Sequence, residues 1–255
     1  MRKVVALATA LVSLMVIAAV AYAQSQNNTY TVQSAVTPTK KGSKKKPTPV
    51  GVKFNYTVNE ASGLQPAAVK TYKIEFYGVR NRGGKFPKCT FQQISQAQSG
   101  DNCPAGSKIG SGTVQSTVYT TGNPSDPNAF PCTKSLSVYN SGENKGVLLL
   151  TGPGNKCAGV SQPFIIDATY VKGAGGAEAL EFTVPPTVLH PIAQLTVAVR
   201  NVQSTIKLVR RTIKKKKVGV YESVGCLGTK RPVKVTFTQE DGKTASATTT
   251  TRCTK

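Results

Sequence analysis

Few residues in this chain have types and spacing suited to chemistry. Two carboxylates, Asp167 and Glu181, lie in neighbouring alternating segments. Asp167 is out of phase with Phe164, Ile166, Ala168 and Tyr170, and Glu181 with Leu180 and Phe182. Both should point away from a core, on one sheet face. Two carboxyls about 5–10 Å apart in a cleft are what glycoside hydrolysis needs, so an extracellular hydrolase with a shallow carboxylate site is one reading. Solvated acids balancing nearby lysines are the plainer one. The single histidine, His190, sits in Pro185-Pro186-Thr187-Val188-Leu189-His190-Pro191, where the prolines predict a rigid extended loop and no catalytic partner is identifiable. Gly-x-Ser-x-Gly does not occur. Gly110-Ser111-Gly112 lacks the Lys-Ser/Thr ending of a phosphate loop and reads as a bulge or a close backbone approach. No catalytic constellation emerges. The chain reads as non-catalytic, with no cofactor and no metal.

The remaining chemistry is charge. Thirty-three Lys and Arg stand against eleven Asp and Glu, a formal charge of +22. Two runs concentrate it: Lys40, Lys41, Lys44, Lys45 and Lys46, then Arg210, Arg211, Lys214, Lys215, Lys216 and Lys217. Like charges at this density repel one another, so both segments must be solvated. The second reads as a strand, with Ile206 and Leu208 in phase, running out into a basic loop. Such a surface keeps a protein soluble and guards its strand edges. It also attracts polyanions, which makes anionic cell-envelope polymers the candidate partners and nonspecific nucleic-acid binding an alternative. Sequence-specific nucleic-acid recognition lacks support, because no aromatics interleave the lysines and no helix-turn-helix or zinc pattern occurs. Carbohydrate platforms are disfavoured by the absence of Trp.

The N-terminus sets the compartment. Arg2 and Lys3 precede an apolar run from Val4 to Val20, and Ala21-Tyr22-Ala23 fits the small-x-small cleavage rule. Residues 1–23 therefore read as a signal peptide. Removing 23 residues from 255 leaves 232 and a charge of about +20. No later apolar run approaches the length of a transmembrane helix, so a secreted or peripherally wall-associated protein is expected. All six cysteines, Cys89, Cys103, Cys132, Cys157, Cys226 and Cys253, follow the leader, and an even count in an exported chain predicts disulfides. A metal site is the weaker alternative, with no Cys-x-x-Cys and one His. Fifteen pairings are possible; sequential pairing, each bridge bracketing one turn-rich stretch, is the expectation.

The elements that must position these residues are strands. Val50 to Val58 alternate with polar neighbours, as do Tyr72 to Phe76, Phe164 to Tyr170, Leu180 to Val184, Leu195 to Val199 and Val233 to Phe237. Turn clusters separate them at Gly83-Gly84, Gly122-Asn123-Pro124, Gly152-Pro153-Gly154, Gly173 to Gly176 and Asp241-Gly242, the last being the strongest hairpin signal. Thr90 to Gln98 is the one short helix candidate. The pattern predicts roughly ten to thirteen strands in an all-β, antiparallel two-sheet sandwich, jelly-roll or immunoglobulin-like, linked by disulfides. Residues 24–28 read as a loose N-terminus. Residues 29–255 form a single domain, with a subdivision near 160 as the alternative.

Lys85-Phe86-Pro87-Lys88-Cys89, Cys103-Pro104-Ala105-Gly106-Ser107-Lys108-Ile109-Gly110-Ser111-Gly112, and the C-terminal pattern of Gly225-Cys226, Val233 to Phe237, Asp241-Gly242 and Cys253 together resemble a family of uncharacterised exported proteins of soil actinobacteria. The resemblance spans most of the chain after the leader. It implies a disulfide-linked, secreted β-fold in which Cys89 pairs with Cys103 and Cys226 with Cys253. It carries over no catalytic residues.

Overall fold

The computed structural model describes residues 27–152, 157, 162–173 and 178–254. The leader 1–23, most of the 24–28 stretch and parts of the Gly152-Pro153-Gly154 and Gly173 to Gly176 turns lie outside the described residues. Antiparallel strands dominate. They are β1 (Asn28–Thr37), β2 (Thr48–Glu60), β3 (Val69–Phe76), β4 (Val79–Asn81), β5 (Lys108–Thr120), β6 (Phe130–Gly142), β7 (Lys145–Thr151), β8 (Phe164–Lys172), β9 (Glu178–Thr183), β10 (Leu195–Ile206), β11 (Arg210–Ile213), β12 (Lys216–Gly219), β13 (Tyr221–Ser223), β14 (Lys230–Gln239) and β15 (Thr244–Arg252). Among the described residues two short α-helices, α1 (Phe91–Ala97) and α2 (Pro186–Leu189), and a single 3-10 turn, Gly83–Lys85, interrupt them.

Each alternating segment becomes a strand, and the alternation sets its faces. In β2, Val52, Phe54, Tyr56 and Val58 are buried while Lys53 and Asn59 are exposed. β7 instead has apolar residues on both sides, and the structure shows why. Leu148 and Leu150 face the main core, whereas Val147 and Leu149 join Cys89, Ile94 and Tyr139 in a smaller cluster involving α1. The helix is held by a capping box in which Thr90 Oγ1 accepts from Gln93 N at 3.2 Å and Gln93 Oε1 accepts from Thr90 N at 2.8 Å.

The sequence pattern leads one to expect two packed sheets; hydrogen bonding draws one thirteen-stranded sheet, with β11 and β12 as a separate pair. Its order is β15-β14-β3-β9-β8-β7-β6-β5-β10-β2, with β1 on the free side of β2 and β13-β4 continuing from the start of β2. Strands from before and after residue 160 are interleaved along this path. Leaving out β4 and β13, the ribbon has eleven strands, every neighbouring pair antiparallel. Directions alternate, so the first and eleventh strands run the same way. Accordingly the ribbon's ends meet in a parallel bridge, Lys40 to Thr254, where Lys41 N donates to Thr254 O at 2.9 Å and Thr254 N to Thr39 O at 3.0 Å.

The sheet is thus rolled, and its two ends lie against each other across an aromatic seam. Tyr30 of β1 stacks on Phe237 of β14 with centroids 4.1 Å apart, and Tyr56 and Tyr72 meet the same ring edge-on at 5.5 and 5.8 Å. Phe54 and Phe76 meet 5.8 Å apart. Along this seam the packing is face to face as in a sandwich; elsewhere the roll encloses space.

All six cysteines are bonded, Cys89–Cys103, Cys132–Cys157 and Cys226–Cys253, the sequential pattern. Closing loops of 14, 25 and 27 residues contributes about 3 kcal/mol each by chain entropy. The Asp241-Gly242 hairpin forms, with Gly242 at φ +85° and Thr238 opposite Thr244.

Two local expectations are corrected. The stretch after β10 is a hairpin, not a loop: β11 pairs with β12, and Lys214 and Lys215 make its turn at φ +46° and +62°. The stretch before His190 is not extended throughout, since Pro186 opens α2, whose missing N–H is no loss in a first helical turn.

Candidate functional site

Strand register decides which charges meet. The start of β2, the end of β10 and the start of β5 are level, because Ile206 pairs with both Val52 and Gly110. The loop carrying Lys40 to Lys46 leads directly into β2 and is anchored where the Ser223 hydroxyl donates to Lys41 O. Gly42, at φ +58°, lies so close to the Ser223 and Thr48 backbone that a Cβ would clash. The β11–β12 hairpin is seated at the same place, with Gly219 against Pro49. It also reaches sideways: the Arg211 guanidinium donates to Lys85 O at 2.8 Å, and Arg82 N donates to Val220 O. Two lysine runs about 170 positions apart in sequence therefore share one end of the roll with Arg80, Arg82 and Lys85. Lys40, Lys41, Lys44, Lys45, Lys46, Arg210, Arg211 and Lys214 through Lys217 are all exposed. None of them belongs to an ion pair among the described residues.

Beneath this end lies a buried ionic group. Glu222 of β13 is 1% exposed and pairs with Arg80, whose Nη2 and Nε donate to Oε2 at 2.7 and 2.9 Å. Arg231 of β14 is fully buried. Its guanidinium donates to Tyr77 O and the Ser223 hydroxyl and lies beside the Cys226–Cys253 sulfurs. Burial pulls its pKa down from the ordinary arginine value.

Inside the roll runs an apolar cavity of about 170 Å³. Its walls come from the inner faces of β2, β3 and β5 through β10, with Val188 and Leu189 of α2 at one end and β4 with Tyr221 at the other. Two polar features enter it. Lys134 of β6 is 4% exposed, donates to Gln162 O at 3.1 Å and rests 4.7 Å from the centre of the Phe164 ring. Burial lowers its pKa. At the basic end, Tyr170 and Tyr221 hydrogen bond through their hydroxyls, and Glu178 accepts from Asn81 N. Burial raises the Glu178 carboxyl above its ordinary value, against the pull of the Asn81 hydrogen bond and of Arg80 and Arg82. Burial likewise raises both tyrosines, Tyr221 to about 12.

The carboxylates singled out by sequence are elsewhere. Asp167 lies 3.8 Å from Lys145 and Glu181 4.0 Å from Lys73, each acid 44% exposed on the outer wall. Neither lines the cavity, so they form no cleft pair. His190 does have a partner, since its Nε2 lies 2.9 Å from Glu240 Oε2 while Nδ1 lies 3.2 Å from Leu195 O. Both are surface groups at the far end of the roll. Gly110 and Gly112 are close approaches to β10, beside a bulge between Lys108 and Gly110. Among the described residues no cluster of His, Cys, Asp and Glu has metal-binding geometry, and no helix is long and apolar enough to cross a membrane.

Lys134, Arg231 and Glu178 are absent from the sequence-derived candidates. The usable signal is phase: Lys134 is in phase with Cys132, Leu136 and Val138, and Arg231 with Val233, Val235 and Phe237. A charged residue on a buried face is the informative exception.

Fold and site together define a disulfide-linked β protein with antiparallel strand pairs, rolled around an apolar interior and strongly basic at one end. Comparison with known proteins finds no matching family, no matching curated protein and no matching solved structure.

Proposed function

We propose that this is an exported, non-catalytic protein held on anionic polymers of the cell envelope by the basic end of its roll. The leader-like residues 1–23, the even cysteine count and the resemblance to exported actinobacterial proteins support export. The observation that carries the reading is the convergence of both lysine runs on the start of β2, with the cations left in water. Scattered cations give a diffuse field; clustered ones give a patch that can release several counterions from one polymer segment.

Position separates this reading from bulk charge. Lys214, Lys216 and Lys217 changed to Gln remove three charges from the patch, and Lys53, Lys70 and Lys234 changed to Gln remove three from elsewhere. Sedimentation with isolated envelope, titrated with salt, should show the first set losing about tenfold in low-salt affinity with a shallower salt slope. The second set should bind as the parent does. Equal losses in both would reduce the patch to net charge, and salt-insensitive binding would remove the reading altogether.

A further inference from the structure

The buried charges beneath the basic end do not balance. Glu222 is committed to Arg80: its Oε2 accepts from Nε and Nη2 of that guanidinium, while Oε1 accepts from Gly219 N at 3.4 Å. Glu178, the other acid at this end, faces Arg80 and Arg82. Arg231 is 0% exposed and belongs to no ion pair among the described residues. Its donors meet neutral atoms. Nε donates to Tyr77 O at 3.0 Å and Nη2 to the Ser223 hydroxyl, with Gly225 O and the Cys226 and Cys253 sulfurs at 3.5 to 3.6 Å. A guanidinium does not give up its proton in a protein, and a charge taken out of water is ordinarily matched by an opposite one.

Two donors beside this charge are left without acceptors. Arg231 Nη1 and Thr251 Oγ1 are both buried and make no hydrogen bond. Arg231 of β14 is paired with Thr251 of β15, so the two side chains leave the same sheet face with Cβ atoms about 5 Å apart. The guanidinium is planar. With Nε turned to Tyr77, which follows β3 on one side of β14, Nη1 takes the opposite edge, on the side of β15. Thr251 also lines an open recess beside β15, together with Lys230 and Arg252, both exposed, and no acid is among its described lining residues. Such a recess draws anions towards the hydroxyl.

We infer that Arg231 and Thr251 together bind one small inorganic monoanion of the halide class, entering from the recess beside β15. Chloride there accepts from Nη1 and from the Thr251 hydroxyl and supplies the compensating charge. One uncompensated cation calls for one negative charge, and burial weighs against divalent oxyanions, whose desolvation costs far more. The site goes beyond envelope retention and does not rest on it.

Urea unfolding of the oxidised protein at constant ionic strength, with sodium chloride exchanged for sodium gluconate, tests this. Gluconate screens the surface lysines as chloride does but is too large for the space between two side chains. The midpoint should rise with chloride and level off, with one ion released per chain on unfolding. Thr251→Val keeps the shape and removes the hydroxyl; it should raise the half-saturating chloride concentration about tenfold. Arg231→Met should abolish the dependence. Should that variant fail to fold, bromide soaked into crystals of the parent and located by anomalous scattering should lie within hydrogen-bonding reach of Arg231 Nη1 and Thr251 Oγ1. Lys214, Lys216 and Lys217 changed to Gln should leave the chloride dependence as in the parent, whatever they do to envelope binding. A midpoint set by ionic strength alone, or the same chloride dependence in Thr251→Val as in the parent, would overturn the inference. So would loss of the dependence in the triple lysine variant, or bromide found on surface lysines and not at Arg231, an adventitious ion only.

Discussion

The two ends of the roll use charge in opposite ways. At the end where β2 stops, each acid has a near partner, a backbone N–H group in every case but one. Glu60 accepts from Asn27 N at 2.9 Å, Ser62 N at 2.7 Å and Leu64 N at 3.0 Å, and Asp126 from Thr120 N and Asn128 N at 2.8 Å each. Asp241 accepts from Lys243 N, and Glu240 pairs with His190. The carboxylates of Glu60, Asp126 and Asp241 close turns. At the other end the lysines of 40–46 and 214–217 lie exposed, while the groups holding that end together, Arg80, Glu222 and Arg231, are partly or wholly buried beneath them. A charge used up by its own backbone is structural. One left in water at mutual repulsion adds little to the fold and is available to a partner.

The largest expected effect lies under the basic end. Arg80→Ala leaves the Glu222 carboxylate buried without its guanidinium, and breaking such a pair from one side costs about 3–5 kcal/mol. The matching cut at the far end, His190→Ala, removes a half-exposed partner from half-exposed Glu240 and should cost less than about 1 kcal/mol. Urea midpoints of the two variants measure the contrast directly; similar losses would mean that the ends are held alike.

Acidification should act on the two ends with opposite sign. Burial works to raise the Glu60 carboxyl, but hydrogen bonds from Asn27, Ser62 and Leu64 outweigh it and hold the group below its ordinary value. Bonds from Thr120 and Asn128 do the same for Asp126. A lowered folded value means stability present above the ordinary carboxylate range and lost as pH falls through the lowered value. Glu178 is raised, first by burial. Its contribution is therefore full below the ordinary glutamate value and lost as pH rises through the raised one. In stability–pH curves from urea unfolding, Glu178→Gln should abolish the decline on that upper side. Glu60→Gln should flatten the acid limb and lower stability by about 1 kcal/mol at neutral pH, because an amide serves those N–H groups less well. Curves for both variants parallel to the parent's would show that neither group is coupled to folding.

How much of this was legible in sequence follows from what each pattern encodes. Period-two alternation marks a strand with one wet face, so β2, β3, β8, β9, β10 and β14 are readable. β7 is not, because α1 covers the outward residues Val147 and Leu149 and leaves an unbroken apolar run. Sequential disulfides are local and readable. Sheet order is not: β10 lies between β5 and β2 and β9 between β8 and β3, pairings set by packing across the whole chain. The same limit hid the basic end, whose two halves are obvious as runs but meet only through register. It also hid the lumen, which no segment encodes alone.

The smallest effect separates shape from charge within the basic hairpin. Ile213 pairs with Lys216, leaving Lys214 and Lys215 as a two-residue turn with both φ positive. Such turns favour Asn-Gly, and a side chain in the left-handed region costs roughly 1–2 kcal/mol. Lys214→Asn with Lys215→Gly should therefore tighten the hairpin by about 1 kcal/mol, seen as slower amide exchange in β11 and β12. It also removes two charges, as does Lys216→Gln with Lys217→Gln, which leaves the turn as it is. If the patch acts as a cluster of charge, both double variants lose envelope affinity equally, although one hairpin is firmer than the other. A smaller loss in the Asn-Gly variant would mean that the geometry of the hairpin is read as well, and the contrast between the two ends would then be one of shape as much as of sign.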